Sequence, residues 1–154
     1  MSYTVDASVV ARWFIKGEEW EQMALRLRDD YVKGRVRLYA PAILTFECLN
    51  AVWKAYRMGL LSLEVAAEIS RLMRKLMPET VELDPEDLHK VFKLSARLNL
   101  TCYDTSYIVV SVKTGSTLLT ADRILYEKAR EQTPTVHLSE YKGARDLRVE
   151  NYLG

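Results

Sequence analysis

The chain has 154 residues, 49% hydrophobic and 28% charged, which fits one globular domain and leaves little room for a second. At that size roughly two-thirds of the unfolded surface can be buried, so folding needs neither a disulfide nor a structural metal. With 22 basic and 21 acidic residues, the net charge of +1 excludes the strong basic excess common in nucleic-acid binders, although an acidic site can mask basic residues around it.

Short apolar runs alternate with longer helical patterns, the signature of a parallel sheet with crossover helices. Ser2–Asp6 reads as the first strand, followed by a short helix over Ser8–Phe14. A longer helix over Glu18–Lys33 has Trp20, Ala24, Leu27 and Tyr31 on one face, and Gly34 stands where a C-cap belongs. Arg35–Ala40 is the second strand. Pro41 then opens a helix to about Met58, with Gly59 as its stop. Ala42, Phe46, Leu49, Trp53 and Tyr56 recur at helical steps and are assigned as its apolar face. Ser62 caps a helix running to Met77, before Pro78. Thr80–Leu83 is the third strand, and Asp84-Pro85 opens a helix ending near Asn99. A helix from about Cys102 to Thr114 leads through Gly115 to the fourth strand, Thr117–Thr120. Asp122 begins a helix to about Gln132, and Thr135–Leu138 is the fifth strand. The expected fold is a single α/β domain, a three-layer α/β/α sandwich around a five-stranded parallel sheet, with its core in residues 2–138 and an unassigned tail at 139–154.

Met1–Val10 lacks the basic start of a secretory signal and carries Asp6 among its apolar residues. No apolar run approaches the ~20 residues of a membrane span. A cytoplasmic location off the membrane is therefore expected. Cys48 and Cys102 have no zinc-ligand spacing and read as two small buried or half-buried thiols, with a structural disulfide between them as the lesser alternative.

In open parallel sheets ligands bind beyond the carboxyl ends of the strands. Asp6 closes the first strand there, and Asp122 follows the fourth. Glu47 lies about two turns into the helix after the second strand, in line with Ile43, Asn50 and Lys54. From Asp104 its helix descends roughly 16 Å to Thr114 and the next strand climbs back about 15 Å, returning Asp122 to the level of Asp104. Each acid also has a plainer reading: Asp6 and Asp122 as N-caps, Asp104 as a favourable charge in a first turn, Glu47 as a solvated flank residue. Several carboxylates at one edge, however, repel one another unless a cation or proton separates them. Carboxylates and water suit Mg²⁺ or Mn²⁺, and two such ions can activate a water and stabilise the leaving oxygen of a phosphodiester.

Val5-Asp6-Ala7-Ser8, Glu47 in Leu44-Thr45-Phe46-Glu47, Tyr103-Asp104-Thr105-Ser106-Tyr107 and Leu119-Thr120-Ala121-Asp122 together resemble the PIN-domain ribonucleases, in particular the single-domain VapC toxins of toxin–antitoxin pairs. The resemblance runs from Ser2 to about Leu138. It implies Mg²⁺- or Mn²⁺-dependent RNA cleavage, a homodimer and a small VapB-like antitoxin as partner. Asp6, Glu47, Asp104 and Asp122 would hold metal directly or through water, and Ser8 and Thr120 would assist by hydrogen-bonding the acids or water.

Arg12, Lys16 and Arg123 follow the strand ends and are candidates for phosphate contacts, with plain solvated charge as the commoner explanation. Asn50 is a candidate to orient Glu47 or meet RNA. His89 and His137 lack partner spacing for a histidine catalyst, and no Gly-rich phosphate loop is present. The helices spanning Ala42–Met77 carry more apolar surface than one sheet face needs, suiting an antitoxin groove or a dimer contact, although core packing explains most of it. Four alternatives stand beside the toxin reading, among them a phosphoacceptor signalling domain, which needs an acidic pair after the first strand and a Lys near the last, and neither is present. A haloacid-dehalogenase-type phosphatase needs a second Asp where Ser8 stands. A non-catalytic binding module would use the acids as caps. An RNA-processing or DNA-directed nuclease of the same fold would act outside a toxin–antitoxin pair.

Overall fold

Five short strands, β1 (Ser2–Val5), β2 (Arg37–Ala40), β3 (Glu79–Thr80), β4 (Thr117–Thr120) and β5 (Thr135–His137), form one parallel sheet in the order β3-β2-β1-β4-β5. The computed structural model describes residues 1–144, so the unassigned tail lies outside the described residues from 145 onward. Around the sheet stand α1 (Ala7–Val10, continued by a 3₁₀ turn, Ala11–Trp13), α2 (Glu21–Val32), α3 (Ile43–Arg57), α4 (Leu63–Leu72), α5 (Pro85–Leu98), α6 (Cys102–Thr114) and α7 (Arg123–Ala129). The result is the expected three-layer α/β sandwich.

The order of the strands locates the functional edge. The chain lays β1, steps to β2 and β3 on one side, then crosses back to place β4 and β5 on the other. The path reverses between β1 and β4, and crevices at the carboxyl ends of strands flanking such a reversal are where ligands enter α/β sheets. Val5 pairs in register with Leu119, so the residues that follow, Asp6 and Thr120, face each other across the opening.

Val5, Leu38, Leu118 and Leu119 are buried, as strands covered on both faces require. Helix α6 packs on β1 and β2 and is buried continuously from Thr105 to Ser111. Thr101 caps its start by accepting the Asp104 backbone N–H at 3.2 Å, and Gly115 ends it at a φ of +65°. Pro85 follows the Asp84 cap, whose carboxylate exchanges hydrogen bonds with Asp87 in a capping box. A second anchor lies at the far end of the chain's path. Buried Asp30 of α2 accepts the Tyr141 hydroxyl at 2.7 Å, the Ala144 N–H at 2.8 Å and Arg35 at 3.2 Å, fastening residues 141–144 to the domain.

The structure corrects the face assigned to α3. Phe46 is 70% exposed and Trp53 50%, whereas Leu44, Cys48, Val52 and Ala55 are buried. Helix α3 packs against α1 and α4. Its inward side carries smaller groups, which let the helices approach closely, and the bulky aromatics are left outside. The expectation for the cysteines is corrected in half: Cys48 is buried, but Cys102 is exposed, and both are free thiols. Most other boundaries shift by one to three residues, and three of the shifts are informative. Helix α2 begins only at Glu21 because Trp20 sits in the left-handed region, φ +59°. Helix α4 gives way at Met73 to a 3₁₀ turn, and β3 comprises Glu79–Thr80 instead of Thr80–Leu83.

Candidate active site

Asp6 leaves β1 at the N-cap position of α1, yet its carboxylate makes no cap hydrogen bond. It receives instead the Ser8 hydroxyl on Oδ1 at 2.6 Å and the Thr120 hydroxyl on Oδ2 at 2.8 Å. Ser8 Oγ in turn accepts the Ala121 N–H at 2.8 Å, and Thr120 Oγ1 accepts the Asp122 N–H at 3.0 Å. Two hydroxyls thus stitch the end of β1 to the turn after β4. The cap reading fails for Asp6 and describes Asp122 in part, since Asp122 Oδ1 does accept the Leu125 N–H at 2.9 Å.

Glu47 sits on the flank of α3, half-buried, and accepts the hydroxyl of buried Tyr107 on Oε1 at 2.6 Å. Asp104 stands half-buried in the first turn of α6, one turn before Tyr107. Sequence reasoning missed Tyr107 as a site residue. Its signal was the three-residue step from Asp104, which puts both side chains on one helical face. A second missed residue is His137, buried at the end of β5 against the edges of Trp20 and Tyr126. Its Nδ1 meets Ser139, and its Nε2 lies 3.3 Å from the Ala121 carbonyl, bracing the turn that presents Asp122.

The acids are coupled electrostatically in a closed ring. Burial pushes the Asp6 carboxyl up to about 7 against the pull of the Ser8 and Thr120 hydroxyls, and the charges of Asp122 and Glu47 add to the rise. Burial also raises Glu47, opposed by Tyr107 and reinforced by Asp104. Asp104 is raised by burial, opposed by its hydrogen bond with Thr101 and reinforced by Asp122. Each acid therefore has two acidic neighbours, and such a ring is destabilising unless a proton or cation enters it. Cys48 is adjacent, and burial and the charges of Asp6 and Glu47 push its thiol far up.

Among the described residues, no three His, Cys, Asp or Glu side chains close into a preassembled cage. The donor set nevertheless fits Mg²⁺ or Mn²⁺: it is all oxygen, and Mg²⁺ keeps several waters while taking only one or two carboxylates directly.

The remaining candidates differ in what they contact. Arg12 turns its guanidinium inward to the carbonyls of Ser8 and of Glu19, the latter at 2.8 Å, and so braces the turn after Asp6. Lys16 is exposed. Arg123 is exposed and lies 3.8 Å from Glu127. Asn50 is exposed one turn beyond Glu47.

Known proteins resemble the chain over most of its length. The chain is 31% identical over 129 residues to Ribonuclease VapC3 of Pyrobaculum aerophilum, covering 83% of this chain and 95% of that protein. It is 31% identical over 102 residues to Exonuclease VapC9 of the same organism, 66% of this chain and 74% of the relative. Among solved structures, PAE2754 from Pyrobaculum aerophilum superposes with a TM-score of 0.65 at 29% identity, covering 90% of each chain. FitAcB from Neisseria gonorrhoeae gives 0.63 at 12% identity, over 90% of this chain and 99% of that one, a likeness of fold. A family model described as the PIN domain matches residues 3–131, a span that begins in β1 and includes all four acids. By sheet order, by relatives and by that match, the chain belongs to the PIN-domain family.

Proposed function

We propose that this protein is an Mg²⁺- or Mn²⁺-dependent endoribonuclease of VapC type, the toxin of a pair whose small VapB-like antitoxin restrains it. The observation that carries the reading is the bridge by which Thr120 joins Asp6 to Asp122 at the point where the sheet reverses, with Glu47 and Asp104 near enough for the acids' charges to reinforce one another. The four carboxylates would hold the cation directly or through water. A bound divalent cation supplies charge that eases loss of a proton from water and offsets the charge growing on the leaving oxygen of the phosphodiester. Ser8 and Thr120 keep Asp6 oriented, and Arg12 and His137 hold the two turns that carry Asp6 and Asp122. Lys16 and Arg123 offer exposed charge to RNA phosphates.

Exposed apolar surface supports the partners. Phe46, Trp53, Met58 and Leu60 stand open on and beyond α3, and an apolar groove of about 370 Å³ runs between Trp13, Phe14 and the Val65, Ile69 and Leu72 side of α4. A second copy and an apolar antitoxin helix are the occupants this reading assigns to these surfaces. No helix among the described residues is long and apolar enough to cross a membrane, consistent with action in the cytoplasm.

One relative is named an exonuclease, so the assay uses a circular RNA beside a linear one. Cleavage of both in Mg²⁺, abolished by chelator and by Asp6→Asn with the fold retained, is the expected result. Cutting of the linear RNA alone would make the protein an exonuclease. Undiminished cleavage by Asp6→Asn would refute the acid site.

A further inference from the structure

We propose that Tyr107 is a positioning residue, whose hydroxyl holds Glu47 by one oxygen so that the other is presented to the metal. The inference rests on the reading of the four acids as metal ligands. Tyr107 is 1% exposed, and its hydroxyl donates to Glu47 Oε1 at 2.6 Å, joining α6 to α3. A phenol buried at that depth is costly without an acceptor, and a phenylalanine would fill the same space. The hydroxyl is therefore explained by the carboxylate and not by packing.

Glu47 is held by fewer bonds than Asp6 and has a longer side chain than Asp122. Asp6 is held by two hydroxyls and Asp122 by a backbone N–H. Among the described residues, Glu47 has Tyr107 as its sole hydrogen-bond donor and no ion-pair partner. Its side chain is one methylene longer than an aspartate and half-exposed, so without Tyr107 it would sweep several rotamers. Tyr107 follows Asp104 by one turn on α6, so a single rigid helix presents one acid and fixes a second. A short, charge-assisted bond to Oε1 makes that oxygen the poorer ligand and leaves Oε2 as the better one.

The test is calorimetric titration of Mn²⁺ into four proteins: the wild type, Tyr107→Phe, Glu47→Ala and the double variant. Groups that orient metal ligands typically contribute 10- to 100-fold to affinity, so Tyr107→Phe is expected to weaken Mn²⁺ binding about tenfold. In the Glu47→Ala background the same change is expected to add nothing, because there is no carboxylate left to hold. An equal added loss in that background would assign Tyr107 a packing role and overturn the proposal. So would wild-type affinity in Tyr107→Phe, or in Glu47→Ala. A wild type that binds no Mn²⁺ would remove the metal reading itself, a distinguishable failure. Independently of any Tyr107 variant, the slowly exchanging hydroxyl proton of Tyr107 should be visible by NMR in the wild type and lost in Glu47→Ala. Its persistence there would also count against the proposal.

Discussion

Thr120 and Asp6 meet across 114 residues of chain, the hydroxyl of one donating to the carboxylate of the other at 2.8 Å in the seam between β1 and β4. The same hydroxyl oxygen receives the N–H of Asp122, so one small side chain sets two of the four acids. Register makes this possible: Val5 opposite Leu119 puts the two residues beyond them level.

Thr120→Val keeps the shape of the side chain and removes both bonds. It is expected to lower metal affinity and RNA cleavage by about 10- to 100-fold, with Thr120→Ser restoring most of the loss. Parallel cleavage assays and Mn²⁺ titrations of the two variants check this. Wild-type affinity and cleavage in Thr120→Val, or no recovery in Thr120→Ser, would show that the hydroxyl is not what sets the two acids.

Asp6 and Asp30 pull stability in opposite directions with pH. The folded pKa of Asp6 is raised to about 7, so between about pH 4 and 7 the folded state binds more protons than the unfolded one. Its contribution is present below about pH 4 and is lost as pH rises through about 7. Asp30 is buried, which raises its pKa, but the Ala144 N–H, the Tyr141 hydroxyl and Arg35 outweigh that and hold it low. Its contribution is present above the ordinary aspartate range and lost as pH falls below it. In chelator, Asp6→Asn should therefore melt higher than the wild type at pH 8, by on the order of 5 °C, and the gap should shrink toward pH 4. Millimolar Mg²⁺ should raise the wild-type melting temperature at pH 8 and do so progressively less below pH 7, because the metal needs the ionised carboxylate. Melting curves across that range, with and without Mg²⁺, test both statements, and a pH-independent gap would contradict them.

The two faces of α3 should respond differently to truncation. Leu44→Ala opens a cavity in the core and is expected to cost about 2–5 kcal/mol. Phe46→Ala removes a larger side chain from the solvent side and should change the stability of the chain in dilute solution by no more than about 0.5 kcal/mol. Urea denaturation separates the two, and comparable losses would return Phe46 to the core.

Much of this was legible in the chain itself, for identifiable reasons. Strand β4 and helix α6 have the bounds their residues dictate, because Thr101, Gly115 and the apolar run between them leave little choice. Asp6 and Asp122 follow strand ends, so alternation of strands and helices suffices to bring them to one edge. The inward face of α3 was not legible. Periodicity ranks side chains by size and apolarity, and it therefore chose Phe46 and Trp53 over Cys48 and Ala55, although close helix packing favours the smaller set. Tyr107 was hidden differently: a tyrosine inside an apolar helix reads as core until its hydroxyl is seen to meet Glu47. The left-handed Trp20, which delays α2, has no local signal at all.

The central claim is that Asp6, Glu47, Asp104 and Asp122 serve one cation-binding site. Crystals soaked in Mn²⁺ test it most directly through the metal's anomalous scattering. A peak among the four acids, with carboxylate oxygens in its coordination shell and water in the remaining positions, is expected. A saturated crystal whose anomalous peaks all lie away from the four acids would contradict it.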